Sequence, residues 1–226
     1  MLAALLAHPA FGASADDRHE CGLIGDIAIN ACTRIINDRN ELPREQAEAF
    51  NNRGFAFAFK GNYDRAIADH TEAIRLDPKM AIAYFNRGSE LGSKGDLNRA
   101  IADLNQAISL DPKNAGAWDL RCYDRAKANR DLSQALADCN ESLRLEPNDT
   151  GTRGSRGFVY LRLNRLDEAI ADFDAALKPR PNTYWLYGRG IAKLRKGDTA
   201  GGNADITAAK GYKADIAEEF ARWGIK

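Results

Sequence analysis

No apolar run in the chain comes near the ~20 residues that a helix needs to cross a bilayer, so no integral membrane segment is expected. An excess of one charge is missing as well: Lys+Arg and Asp+Glu each number 32, a formal net charge of zero. That balance removes the basic footprint of a nucleic-acid binder. Histidine is sparse, with His8, His19 and His70 as the full set. No Cys-x-x-Cys, His-Glu-x-x-His or phosphate-cradling glycine motif occurs. Gly188-Arg189-Gly190 matches part of a dinucleotide loop but follows no strand. His19 and Cys21 amount to half a metal site with no further ligand placed beside them. Catalytic residues, metals and cofactors are therefore not expected. Strand-period alternation is missing too, which points to an all-α fold.

What the chain does have is a period. Gly54 to Gly88, Ala66 to Ala100, Ala73 to Ala107 and Pro78 to Pro112 are each 34 positions apart. Third and fourth copies follow through Cys122 to Pro147 and Gly157 to Pro181, and a degenerate fifth runs through Gly190 and Asp205. Such a period marks stacked antiparallel helix pairs, each unable to bury its apolar face without a neighbour. Gly61, Gly95, Asn164 and Gly197 stand where first helices must end in a left-handed residue. Asn62, Asp96, Asp131 and Asp198 follow as N-caps of the second helices. The third copy carries one extra residue between Cys122 and Asp131, which predicts local irregularity there.

The repeat array is placed at 45–210, as one elongated domain. An N-terminal segment, 16–44, contributes one capping helix near 26–38, and 211–226 contributes a C-terminal one, with Ile216, Phe220 and Trp223 able to cover the last open face. Residues 1–15 read as a signal peptide cleaved near Ala15: a short apolar stretch leads to small-x-small Ala13-Ser14-Ala15 and then Asp16-Asp17. A basic n-region is missing, which a start upstream of Met1 would reconcile. Periplasmic or secreted location is expected, or cytoplasmic if this segment is not a leader.

Four cysteines fall into two local pairs, Cys21–Cys32 and Cys122–Cys139, as expected of an exported protein. Cys122 takes the place of the glycine seen at Gly54, Gly88 and Gly157, and Cys139 stands where His70, Leu104 and Phe173 occur. These positions face each other across a helical hairpin, close enough for a bridge. Cys21 and Cys32 cannot share one helix, because 11 residues at ~1.5 Å separate them by ~16 Å; Gly22 and Gly25 allow a fold-back. Reduced, buried thiols remain the alternative.

Arg53/Asp69, Arg87/Asp103, Arg121/Asp138, Arg156/Asp172 and Arg189/Asp205 recur 16 apart, or 17 in the expanded third copy. The constant offset predicts an ion pair bridging two helices in each copy rather than a charge ladder for a ligand.

The 34-residue spacing with small residues at Gly54, Ala66 and Ala73 and proline at Pro78 resembles the tetratricopeptide repeat family. Phe50, Tyr84, Trp118, Phe57 and Tyr160 fit the same pattern. The likeness covers about 45–210, and in detail is similar to an exported bacterial subtype with a recurrent Arg-Gly pair and a cysteine in each helix of the third repeat. The resemblance implies an all-α, right-handed solenoid of about four to five helix pairs. Its first helices would line a concave groove that binds a peptide or partner protein without catalysis. A carboxylate clamp found in some members is not matched: Asn86 holds one clamp position, but Asn51, Phe55, Gly116 and Leu120 stand at the others.

Helical offsets from each glycine place Asn51, Phe55, Phe59, Phe85, Ser89, Asp119, Tyr123, Phe158, Arg162, Tyr187, Ile191 and Arg195 on that groove. Aromatics with polar groups between them suit an extended or helical peptide, with Phe55 and Phe59 as anchor. The expected function is a protein–protein interaction scaffold of unknown oligomeric state. Alternatives are a periplasmic assembly factor or chaperone-like adaptor, and a thiol–disulfide sensor using Cys122/Cys139. The sensor would need an accessible low-pKa thiol.

Overall fold

The computed structural model describes residues 13–225; most of the leader reading lies outside them. The described residues hold helices and no strand. The chain divides into two compact units, up to Lys94 and from Gly95 onward. The first contains α1 (Ala15–Cys21), α2 (Gly25–Asn37), α3 (Pro43–Phe59), α4 (Tyr63–Leu76) and α5 (Ala81–Lys94). The second contains α6 (Leu97–Leu110), α7 (Ala115–Ala128), α8 (Leu132–Leu145), α9 (Thr150–Arg162), α10 (Leu166–Leu177), α11 (Thr183–Arg195), α12 (Thr199–Tyr212) and α13 (Ile216–Arg222). The boundary falls inside the second 34-residue copy.

Local chemistry sets the hairpins. Gly61 takes φ +75° and Asn164 φ +56°, the left-handed conformation that ends a first helix and turns the chain. Asn62, Asp96 and Asp198 then cap the second helices by accepting from the N–H of Arg65, Arg99 and Gly201. Asp131 departs from the expectation. The extra residue of the third copy is absorbed by two left-handed residues, Asn129 (φ 51°) and Asp131 (φ 49°), and the turned Asp131 side chain makes no capping bond.

Small residues on one helix admit large ones on the next. A Cβ at Gly54 would sit 2.7 Å from the His70 ring, and one at Gly157 the same distance from Phe173. In the third copy Cys122 and Cys139 occupy this pair of positions and are bonded, with Cα atoms 5.5 Å apart. Cys21 and Cys32 are also bonded, at 4.7 Å. Their place in the register was not anticipated. Ala28, Ala66, Ala135 and Ala169, all 0% exposed, stand four residues before Cys32, His70, Cys139 and Phe173. The α1–α2 hairpin is therefore a shortened repeat, and α2 is its second helix rather than a lone cap. Ser14 caps α1 by accepting from the Asp17 N–H, and the Ala13 N–H donates to Glu41. A cut at Ala15 would remove both contacts.

The arginines staple neighbouring hairpins. Arg53, Arg121, Arg156 and Arg189 each donate through Nε and Nη2 to both carboxylate oxygens of Asp69, Asp138, Asp172 and Asp205, at 2.6–3.0 Å. The remaining Nη1 reaches the second helix of the preceding copy: Thr33, Asn105, Asn140 and Asp174 in the same order. Arg87 makes the equivalent contact to Thr71; Asp103, its expected partner, belongs to the other unit. One guanidinium thus fixes three helices at once, and aromatic faces at Phe50, Trp118 and Tyr160 lie beneath Arg53, Arg121 and Arg156.

Candidate functional site: the faces of the first helices

Residues one place after each small position should share one environment if the repeats were equivalent. They do not. Phe55, after Gly54, is 47% exposed; Phe158, after Gly157, is 2% exposed. The difference separates the groove residues of the two units.

In the first unit the predicted residues lie open. Phe59 is 66% exposed, one helical turn beyond Phe55, while Phe85 and Ser89 on α5 are half-buried. Asn51 is buried, and its side-chain oxygen accepts from Asn86 Nδ2 at 3.0 Å, tying α3 to α5. Beside it a cleft of about 700 Å³ is lined by Asn51, Asn52, Met80 and Ile82, with Arg44, Glu48, Asp77 and Lys79 at its rim. Ile82 was not among the predicted residues. It precedes Phe85 by three positions, so the same helical stripe carries it.

In the second unit the predicted aromatic residues are covered by the chain itself. Phe220 and Trp223 of the C-terminal segment reach Phe158 (ring centroids 5.8 and 6.4 Å), Trp223 reaches Tyr123 (6.2 Å), and Phe220 reaches Tyr187 (4.5 Å). Ile191 is buried. Tyr184, missed by the sequence reading although three residues before Tyr187, stacks on Trp223 at 5.8 Å. Arg162 donates to the carbonyls of Ala126, Lys127, Trp223 and Gly224; burial, then the Arg195 charge, disfavours its protonated form. Arg195 is exposed and donates to the Leu161 carbonyl. The C-terminal segment therefore does more than close the last repeat: Phe220 of α13 meets α9, and Trp223 at its C-cap meets α7 and α9.

Buried ionisable groups accompany these faces. Burial raises the Glu90 carboxyl to about 7, Asp124 to about 7 and Asp119 to about 6. Burial, then the Arg87 charge, lowers His70 to about 4. Glu90 Oε2 lies 3.8 Å from His70 Nε2, and with a neutral imidazole this contact is not an ion pair. A carboxyl whose folded pKa is raised contributes stability below its unfolded pKa, and that stability is lost as pH rises through the folded value. His70 acts oppositely, weakening the fold as pH falls from 6.5 toward about 4. With three carboxyls against one imidazole, Tm should fall between pH 5 and pH 8. Thermal melts of Glu90→Gln check it: the variant should melt above the parent at pH 8, with the gap shrinking at pH 5. An equal gap at both pH values would contradict the assignment.

Family models described as tetratricopeptide repeat match residues 47–80, 81–114 and 124–195, together more than half of the chain. The chain belongs to the tetratricopeptide repeat family. Solved tetratricopeptide structures share its fold, an all-α solenoid of helix pairs. It is similar to YrrB, a tetratricopeptide protein with an unusual peptide-binding site, at TM-score 0.61 and 21% identity over 85% of this chain and 97% of that one. A thermophilic tetratricopeptide protein from Thermus thermophilus aligns at TM-score 0.62 and 19% identity over 79% of this chain and 97% of that one. The first tetratricopeptide domain of Spaghetti, bound to an HSP90 peptide, aligns at TM-score 0.51 and 26% identity over 53% of this chain and 94% of that one. Comparison with curated proteins returns no match.

Proposed function

We propose that this tetratricopeptide chain is a non-catalytic scaffold that holds a peptide of a partner protein against the first-helix face of its first unit. One observation carries the reading. Of the exposed large hydrophobic side chains among the described residues, Leu23, Ile24, Ile27, Leu42, Phe55, Phe59, Tyr63 and Ile82 lie in the first unit, and only Leu163 and Tyr212 in the second. Large apolar side chains left in water mark an interaction surface, and of this set Phe55, Phe59 and Ile82 stand on the first helices α3 and α5. Phe55 and Phe59 supply aromatic anchors, and the charged rim of the adjacent cleft suits a peptide with apolar side chains between charged ones. Peptide-bound and peptide-binding relatives support the same use of the fold.

The test is a peptide-library selection against the full chain, followed by affinity measurement on the variant Phe55→Ala/Phe59→Ala. Loss of two aromatic anchors should weaken the selected peptides by about 10- to 100-fold. Unchanged affinity in a variant with the parent's helical spectrum would overturn the reading. The thiol-exchange alternative lacks support from exposure, since all four cysteines are bonded and at most 2% exposed. Two buried disulfides suit an oxidising compartment, and this supports the proposal that the protein works outside the cytoplasm.

A further inference from the structure

The second unit shows what its first-helix face accepts. We propose that α13 is a tethered occupant of a receptor groove, and that this groove takes a short amphipathic helix of a partner protein carrying a branched aliphatic, a phenylalanine and a tryptophan at i, i+4 and i+7. The inference rests on the groove-binding reading but concerns the other unit and the chemistry of its ligand.

Three observations support it. Ile216, Phe220 and Trp223 follow that spacing; the first two are 0% exposed, and the Phe220 ring meets Phe158 and Tyr187 of the groove. This is the anchor pattern of a helix laid into a groove. Arg162, on the groove face, spends two of its donors on the carbonyls of Trp223 and Gly224. Those carbonyls lie at the C-cap and one residue past it, where no intrahelical donor reaches them. Finally, α13 has only seven residues and no side-chain cap, too short to be helical unless seated. Its release would be the unfolding of a strap joined to α12 by Lys213, Ala214 and Asp215 alone. The equivalent position of the first unit, Phe55, is 47% exposed among the described residues.

A tether this short holds its occupant at an effective concentration on the order of millimolar. A free helix with the same contacts at ~10 µM would then fill about one site in a hundred, so the groove is closed until the tether is overcome.

The experiment inserts a protease site after Ala214 and cuts it once the full chain has folded. A fluorescent peptide spanning residues 214–226 is then added and its anisotropy followed. We expect saturable uptake by the cut chain and at least tenfold less uptake by the uncut chain. Peptide with Phe220→Ala should bind at least tenfold more weakly. Loss of the helical signal on cutting, or uptake insensitive to Phe220→Ala, or failure of the label to exchange, would each overturn the proposal and leave α13 as core. The Phe55→Ala/Phe59→Ala change should not alter uptake. Selected peptides that still depend on Phe55 and Phe59 when uptake fails would sink this proposal alone.

Discussion

Arg156→Ala should lower stability by about 3–5 kcal/mol, because it leaves a buried carboxylate without its counter-charge. Asp172 is 6% exposed and receives two hydrogen bonds from Arg156, at 2.7 and 2.9 Å. The same guanidinium donates to Asn140 on α8 at 2.9 Å and lies over the Tyr160 ring. The substitution therefore cuts a link between consecutive hairpins as well as one within a hairpin. For a chain of this size, ~2–4 °C is expected per kcal/mol, so Tm should fall by about 10 °C. Arg156→Lys should recover less than half of that: an ammonium cannot donate through a planar fork to both oxygens and to Asn140 at once. Circular-dichroism melts of both variants decide it. A Tm within 2 °C of the parent in Arg156→Ala would show the pair to be worth no more than an exposed one.

This staple was half legible in the sequence. A constant offset of 16 or 17 between Arg and Asp betrays two positions that face each other in every hairpin. The third partner is not legible by identity, since Thr33, Thr71, Asn105, Asn140 and Asp174 share only an acceptor oxygen. Conservation of chemistry without conservation of residue type hides such a contact from spacing arguments. The short first repeat was hidden differently. Its register survives in Ala28, Cys32 and Thr33, but α1 has only seven residues and lacks the Arg-Gly pair that identifies other first helices. The groove shows the deepest limit. Offsets from each glycine name the residues on a face correctly, yet Phe55 and Phe158 hold equivalent offsets and differ in exposure by 47% to 2%. Phe158 meets Phe173 and Tyr123 of the repeats and also a segment some sixty positions downstream, and periodicity carries no information about where that segment will fold back.

Removing the Cys122–Cys139 bridge should cost about 3 kcal/mol, the loop-closure contribution for a separation of 17. The variant Cys122→Ala/Cys139→Ala tests this under denaturant. Both sites are 0% exposed, so truncating the sulfurs adds a packing defect of about 1 kcal/mol to the entropic term. Cys21–Cys32 spans 11 residues, and its entropic share is smaller by only ~0.4 kcal/mol. It ties down a short terminal helix, however, so its loss should fray α1 and leave the global transition nearly in place. The two bridges can thus be told apart by whether the main unfolding midpoint moves. The repeat register also supplies a compensating design. Elsewhere these positions hold a glycine against a bulky side chain, as at Gly157 and Phe173, and Leu104 shows that a fully buried leucine occupies the second-helix site. Cys122→Gly/Cys139→Leu should therefore regain the packing term while leaving the entropic term lost, placing its midpoint above the double alanine variant and below the parent. A midpoint at or below that of the double alanine variant would mean that the third hairpin, distorted by its extra residue, holds its helices at a spacing only the sulfur bridge can span.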